Sequence, residues 1–271
     1  MTPLLSPAVR EGAIAIATRA AGAILEVYDG DFDVVRKGDD SPLTAADLAA
    51  HRCIVDGLAA LTPGIPVLSE ESESLPAAER RAWRTFWLVD PLDGTREFVK
   101  RNGEFSVNIA LVVDGEAVFG VVQAPVGGRA WHGGRALGAW ARGADGVDAR
   151  IAVRRPAPPP LRLAASRSHR DGRTEAFIDH LSATHATELM SLGSSLKFCA
   201  LAEGRLDLYP RFGPTCEWDT AAGQCVLEGA GGQVLDRKGR PLRYNQRDTL
   251  LNGDFIALGD ADLPWRAWQP A

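Results

Sequence analysis

The chain has 271 residues, 45% of them hydrophobic and 24% charged, enough for one large domain or two small lobes with cores of their own. A formal net charge of −5 without a long basic run argues against sequence-independent binding to long nucleic acid, while a small anionic substrate stays possible. Arg10, Glu11 and Arg19 interrupt any secretory apolar run, no stretch is long enough for a membrane span, and Cys53, Cys199, Cys216 and Cys225 form no zinc spacing; a cytoplasmic chain with free thiols is expected.

In chain order, Val9, Ala13, Ile16, Ala17, Ala20 and Ile24 recur at helical spacing and predict an amphipathic helix over 5–28. A charged loop over 36–40 follows. Thr44 is the expected N-cap of a second helix that carries Asp47 and runs to about Leu61, where Pro63-Gly64 stops it. Residues 65–68 read as a short buried strand that delivers Glu70-Glu71. A second apolar strand, 86–89, is expected to end at Asp90-Pro91. Runs 105–113 and 117–123 flank Asp114-Gly115, a strong hairpin signal. The Pro-rich stretch 156–160 is the one credible linker, dividing an N-terminal lobe (1–155) from a C-terminal lobe (156–271). Beyond it, 161–164 and 188–190 read as strands, and a helix follows Ser194 and ends at Gly204. A strand is expected over 205–209, then a helix of small residues over 220–229 with Asp219 at its N-terminus.

Acids therefore fall where apolar strands stop or a helix starts, in three separate segments: Glu70-Glu71, Asp90-Pro-Leu-Asp93-Gly-Thr95 and Trp218-Asp219-Thr220. Adjacent glutamates are usually a solvated face, Asp-Gly-Thr is usually a turn, and Asp219 alone would pass for a helix cap. Their conjunction is harder to explain that way, because gathered like charges repel unless a cation compensates them. Mg²⁺ is a hard cation that takes oxygen ligands, so carboxylates from separate elements suit it. Asp90, Asp93 and the Leu92 carbonyl can turn toward one point, and Gly94-Thr95 then opens a helical stretch whose N–H groups favour a phosphate.

These residues resemble a known family. Residues 87–95, Trp-Leu-Val-Asp-Pro-Leu-Asp-Gly-Thr, resemble the first signature of the inositol monophosphatase superfamily, and 218–223, Trp-Asp-Thr-Ala-Ala-Gly, resemble the second. Segments 67–71 and 41–47 resemble its remaining landmarks. Within the superfamily, 191–198 and 208–214 are most similar to the bacterial CysQ-type 3′(2′),5′-bisphosphate nucleotidases. The resemblance implies an α/β fold of alternating helix and sheet layers and catalysis by two or three Mg²⁺ ions. It implies that Glu70, Asp90 and the Leu92 carbonyl hold one ion, that Asp90, Asp93 and Asp219 hold a second, and that Glu70 helps with a third. Asp47 and Thr95 would orient the attacking water, with no phosphoenzyme, and Gly94 and Thr95 would bind the phosphate through their N–H groups. Li⁺ inhibition is common in the family.

The substrate implied is adenosine 3′,5′-bisphosphate, giving AMP and phosphate, with 3′-phosphoadenosine 5′-phosphosulfate a second candidate in sulfur metabolism. Lys197 and Arg211 are expected at the second phosphate, since a guanidinium fork matches phosphate oxygens. Ser191, Ser194 and Ser195 are expected at ribose or phosphate, Lys37 as a mobile screening charge, and 166–169 (Ser-Arg-Ser-His) near the nucleotide. Two departures from the family pattern are Glu217, before Trp218, and Gln224, where many nucleotidases have His. The competing readings are an inositol-1-monophosphatase or related sugar phosphatase and, from another class, a metal or nucleotide sensor. Asp47 and Thr95 argue against a sensor, which has no need of water-activating groups. The chain is expected to act as a monomer or homodimer.

Overall fold

The computed structural model describes residues 5–30, 32, 34–36, 42–72, 75–165 and 172–268. Helix α1 (Pro7–Tyr28) starts where Ser6 Oγ accepts the Val9 N–H at 3.3 Å and Pro7 takes the first helical position. Strands β1 (Val34–Arg36) and β2 (Pro42–Thr44) pair antiparallel and lead into α2 (Ala45–Leu61). Thr44 caps α2, and the Asp47 carboxylate reaches back to the Thr44 N–H at 2.8 Å, completing a capping box.

Next come β3 (Val67–Ser69), α3 (Ala77–Arg80), β4 (Thr85–Asp93), α4 (Thr95–Val99), β5 (Ser106–Val113), β6 (Glu116–Gln123), β7 (Ala130–Gly134), β8 (Gly138–Arg142) and β9 (Asp148–Ile151). Strands β3 to β9 form one sheet in sequence order, antiparallel except for the β3–β4 pair. The β5–β6 turn is the expected Asp114-Gly115, with φ of 51° and 78°, the positive pair that a tight two-residue hairpin needs. The C-terminal part supplies β10 (Leu161–Ala165), α5 (Gly172–Thr184), β11 (Thr187–Ser191), α6 (Leu196–Ala202), β12 (Leu208–Arg211), α7 (Ala221–Gly229), β13 (Gln233–Asp236) and β14 (Phe255–Leu258). Its sheet runs β11-β10-β12-β14-β13.

Period-two burial stacks these parts into layers. Along β4 and β5, Trp87, Val89, Ile109 and Leu111 face α1 and α2, while Phe86, Leu88, Ala110 and Val112 face α6 and α7. The small sheet alternates likewise. Tyr209, Phe255 and Ala257 join the α6–α7 layer, and Leu208, Ile256 and Leu258 pack on α5. The order is thus helix pair, large sheet, helix pair, small sheet, helix, the alternation expected for the fold class.

The structure departs from the sequence reading at two places that matter for the site. Strand β4 does not stop at Asp90: it continues to Asp93, which pairs with Ser106 across a register shift between Asp90 and Asp93. A bulge tolerates Pro91 because the residues inside it make no regular ladder bonds. The strand expected over 205–209 begins only at Leu208, because the Arg205 and Leu206 N–H groups fold back onto the Ala200 carbonyl and close α6. That shift places Arg211 inside β12.

Close approach fixes α7. A Cβ on Gly120 would meet the Ala222 carbonyl at 2.6 Å, one on Gly229 the Gly138 carbonyl at 2.5 Å, and one on Gly223 the Phe198 ring at 2.5 Å.

Candidate active site

The bulge at the end of β4 aims its acids. Asp90 is 1% exposed, and its Oδ1 accepts the Leu92 N–H at 3.1 Å. Gly94 then turns the chain with φ of 95°, where a Cβ would crowd the Glu104 carbonyl at 3.2 Å. This turn brings Thr95 Oγ1 to 3.3 Å from both Asp47 Oδ1 and the Leu92 carbonyl. Asp47 Oδ2 is held by the Thr44 hydroxyl at 2.6 Å. The capping box of α2 thereby doubles as the mount for the Asp47–Thr95 pair. Glu70 follows β3, the neighbour of β4, and its N–H donates to the Val89 carbonyl at 3.1 Å.

The opposite wall comes from the C-terminal half. Ser195 N–H donates to Asp93 Oδ2 at 2.6 Å, and Asn108 Nδ2 donates to the Ser195 Oγ at 2.8 Å. The Ser195 hydroxyl lies 2.7 Å from Asp93 Oδ2 and 2.8 Å from the Asp219 carbonyl, and so bridges the two acidic segments. Lys197 Nζ donates to the carbonyls of Ser194 (2.7 Å) and Leu192 (3.1 Å), tightening the turn in which Ser194 adopts a positive φ of 48°. Asp219 ends a short 3₁₀ turn, and its Oδ2 accepts the Cys216 N–H at 2.8 Å.

Asp90, Asp93 and Asp219 converge, with one oxygen of each within 4.8 Å of the others. Burial pushes all three carboxyls above their ordinary range. Repulsion adds to this, from Glu70 first at Asp90 and from Asp93 at Asp219. At Asp93 the Ser195 and Asn108 donors and the Lys197 charge oppose the rise. An all-oxygen donor set under mutual repulsion fits a hard divalent cation, which would relieve the repulsion on binding.

The acids lie in a cleft of about 380 Å³, whose lining also includes Glu70, Gly94, Thr95, Ser194, Lys197, Arg211 and Trp218. Burial drives Lys197 down to about 8, with Arg211 pushing the same way and Asp93 opposing. Arg211 is 8% exposed, and its Nη2 donates to the Pro214 carbonyl at 2.9 Å.

Most of the residues singled out in the sequence meet here. Ser195 lies behind Asp93 at 1% exposure rather than among the residues lining the cleft, and Ser191, the last residue of β11, is not among those lining residues either. Lys37 and 166–169 lie outside the described residues. Sequence reasoning passed over Asn108, although a polar residue between Val107 and Ile109 in an apolar strand was a usable signal. It also passed over Asn252, which has no local signal: its Nδ2 reaches the Cys216 carbonyl at 2.9 Å from 36 residues away.

Layered order, bulged strand and acid cluster together define a layered α/β architecture whose cleft carries an all-oxygen donor set suited to a hard cation. The inositol monophosphatase family model matches residues 7–263, and the chain belongs to that family. It is 51% identical over 243 residues to the 3′(2′),5′-bisphosphate nucleotidase CysQ of Escherichia coli strain K12, covering 89% of this chain and 95% of that protein. A crystal structure of CysQ from Bacteroides thetaiotaomicron superposes with a TM-score of 0.82 at 42% identity, covering 92% of this chain and 96% of that one. The IMPase of Thermotoga maritima gives 0.75 at 26% identity, covering 92% and 91%. Among the described residues no helix is long and apolar enough to cross a membrane.

Proposed function

We propose that this chain is a Mg²⁺-dependent 3′(2′),5′-bisphosphate nucleotidase. It removes the 3′-phosphate of adenosine 3′,5′-bisphosphate to give AMP and phosphate, and acts also on 3′-phosphoadenosine 5′-phosphosulfate. The observation that carries this reading is one cleft that brings three converging carboxylates, Asp90, Asp93 and Asp219, together with two buried cations, Lys197 and Arg211. The acids suit a metal-assisted phosphate ester, and the cations suit a second phosphate.

Glu70, Asp90, the Leu92 carbonyl, Asp93 and Asp219 would hold two or three Mg²⁺ ions, which supply positive charge against the phosphate and acidify water. The chain's own groups orient the reactants. The Thr95 hydroxyl lines the cleft 3.3 Å from Asp47 Oδ1, so as it takes a proton from the attacking water it passes its own to the Asp47 carboxylate. The oxygen of that water bonds to phosphorus as the bond to the ester oxygen breaks. The ester oxygen leaves as the ribose hydroxyl with a proton drawn from solvent, and no phosphorylated side chain forms. The N–H groups of Gly94 and Thr95 hold the reacting phosphate, while Arg211 and Lys197 hold the 5′-phosphate. Ser194 reaches ribose or phosphate from the cleft wall. Residues 1–155 thus supply the metal and phosphate site, and residues 156–271 supply recognition and the last ligand, Asp219. The protein works in the cytoplasm as a monomer or homodimer.

Phosphate release from adenosine 3′,5′-bisphosphate and from inositol 1-phosphate, measured side by side with Mg²⁺, with EDTA and with Li⁺, tests this. A Mg²⁺-dependent preference for the nucleotide is expected. Preference for the inositol ester overturns the substrate assignment, and release from neither overturns the enzyme.

A further inference from the structure

Glu217 is a carboxylate with no solvent exposure, two residues before Asp219. Burying an acid is costly unless its oxygens are satisfied, so its partners show what it holds in place. Oε2 accepts the Asn245 N–H at 2.6 Å, and Oε1 accepts Arg247 Nη2 at 3.0 Å. Asn245 sits at a positive φ of 56° and is bonded in turn to buried Arg80, Oδ1 accepting from Nη1 at 2.7 Å and Nδ2 donating to the Arg80 carbonyl at 2.6 Å. Glu217 therefore anchors both the start and the middle of the segment 245–252.

The other end of that segment grips the peptide that aims Asp219. Asn252 N–H donates to the Thr215 carbonyl at 2.8 Å, and the Glu217 N–H donates to the Leu250 carbonyl at 2.8 Å. Asn252 Nδ2 reaches the Cys216 carbonyl at 2.9 Å and Thr220 Oγ1 at 3.0 Å. The peptide joining Thr215 to Cys216 is thus held on its carbonyl by Asn252, and its N–H is the one that binds Asp219 Oδ2 at 2.8 Å. Rotating that peptide would release one carboxylate oxygen of Asp219 and turn the other away from Asp90 and Asp93. Leu251, in the same segment, lines the cleft.

We propose that Glu217 is a positioning residue for the metal centre: it clips segment 245–252 onto the Thr215–Cys216 peptide and so fixes the direction of Asp219. This rests on the reading of Asp90, Asp93 and Asp219 as metal ligands. Outer partners of metal ligands characteristically change metal affinity by about 10–100-fold when removed.

The test is Mn²⁺ binding to substrate-free, full-length protein by titration calorimetry, with thermal melting alongside. Glu217→Gln and Asn252→Ala should each weaken binding about tenfold. The double variant should lose less than the product of the two, because both act through one peptide. Glu228→Gln alters a carboxylate of α7 that bonds Gln224 and Arg135 instead, and should bind Mn²⁺ as the wild type does even where its melting temperature shifts. Wild-type affinity in Glu217→Gln or Asn252→Ala overturns the proposal, as does equal weakening in Glu228→Gln. Failure of the wild type to bind Mn²⁺, or undiminished binding by Asp219→Asn, overturns the metal-site reading itself and the positioning role with it.

Discussion

The two walls of the cleft are built differently. Asp90 and Asp93 ride on β4, an inner strand of a seven-stranded sheet whose backbone ladder and two-sided core hold them. Asp219 and the Ser194–Ser195 turn sit on short irregular segments held by side chains: Ser195, Lys197, Asn252 and Glu217. A backbone ladder survives the loss of any one side chain, whereas a side-chain clasp does not. Substitutions behind the first wall should therefore register as stability, and those behind the second as binding.

The largest expected effect comes from Asp90→Asn. It removes a carboxylate worth several kcal/mol of charge stabilisation, so kcat should fall on the order of a thousandfold or more in a phosphate-release assay. The same variant should melt higher than the wild type in EDTA. Asp90 titrates above its ordinary range in the fold, so its charged form is the strained one. The metal-free wild type is weakened near neutral pH and recovers as pH falls through that raised value. A lower melting point in EDTA would contradict this account of the first wall.

Arg211→Met belongs to the second wall and should raise KM for adenosine 3′,5′-bisphosphate roughly 10- to 100-fold, the value of a charge-assisted contact. KM for a monophosphate should change little, and steady-state kinetics on the two substrates separates these cases.

A matched pair sharpens the comparison further. Ser195→Ala should weaken Mn²⁺ binding about tenfold with a modest loss of stability. Ile109→Ala, in the first wall's core, should cost about 2–5 kcal/mol in denaturant melts yet leave Mn²⁺ affinity of the folded protein unchanged. The reverse pattern would erase the distinction between the walls.

The smallest effect lies away from both walls. Arg142, on β8, binds Asp148 and Glu11, and its hydrogen bonds hold Asp148 down at about 2. A carboxyl lowered in this way stabilises above its ordinary 3.8, and that contribution is lost as pH falls toward 2. Arg142→Met should cost about 1–2 kcal/mol at neutral pH with kcat intact. The gap in melting temperature from the wild type should close as the pH drops through that window.

How much of this could be read from the sequence follows the same division. The first wall was legible because its chemistry is local: Asp90, Asp93, Gly94 and Thr95 lie within six residues, and the short apolar run 86–89 ahead of them marks a buried strand. The hairpin at Asp114-Gly115 and the Thr44 cap were legible for the same reason. Asn108 was passed over, and the bulge was missed because Pro91 reads as a stop unless the partner strand is known to resume pairing at Ser106. The second wall's acid and lysine could be found, but not what holds them. Glu217 stood out as a departure from the family pattern, yet its partner Asn245 is 28 residues away, and no periodicity joins them. Ser195 was expected to touch substrate, an expectation that residue type alone supports. Its bonds to Asp93 and Asp219 exist only once α6 and α7 are packed together.

The distance between the walls has its own control. Helix α7 leans on Gly120 and Gly138 through its Ala222 and Gly229 backbone, and on Phe198 through Gly223. A single methyl at Gly120, Gly223 or Gly229 would push it outward, and Asp219, leading into that helix, would travel with it. The small residues after Trp218-Asp219 are therefore shims: they set the gauge of a site whose chemistry is done by others. Retuning this cleft by enlarging the α7 face would widen the jaw before it altered any contact with substrate.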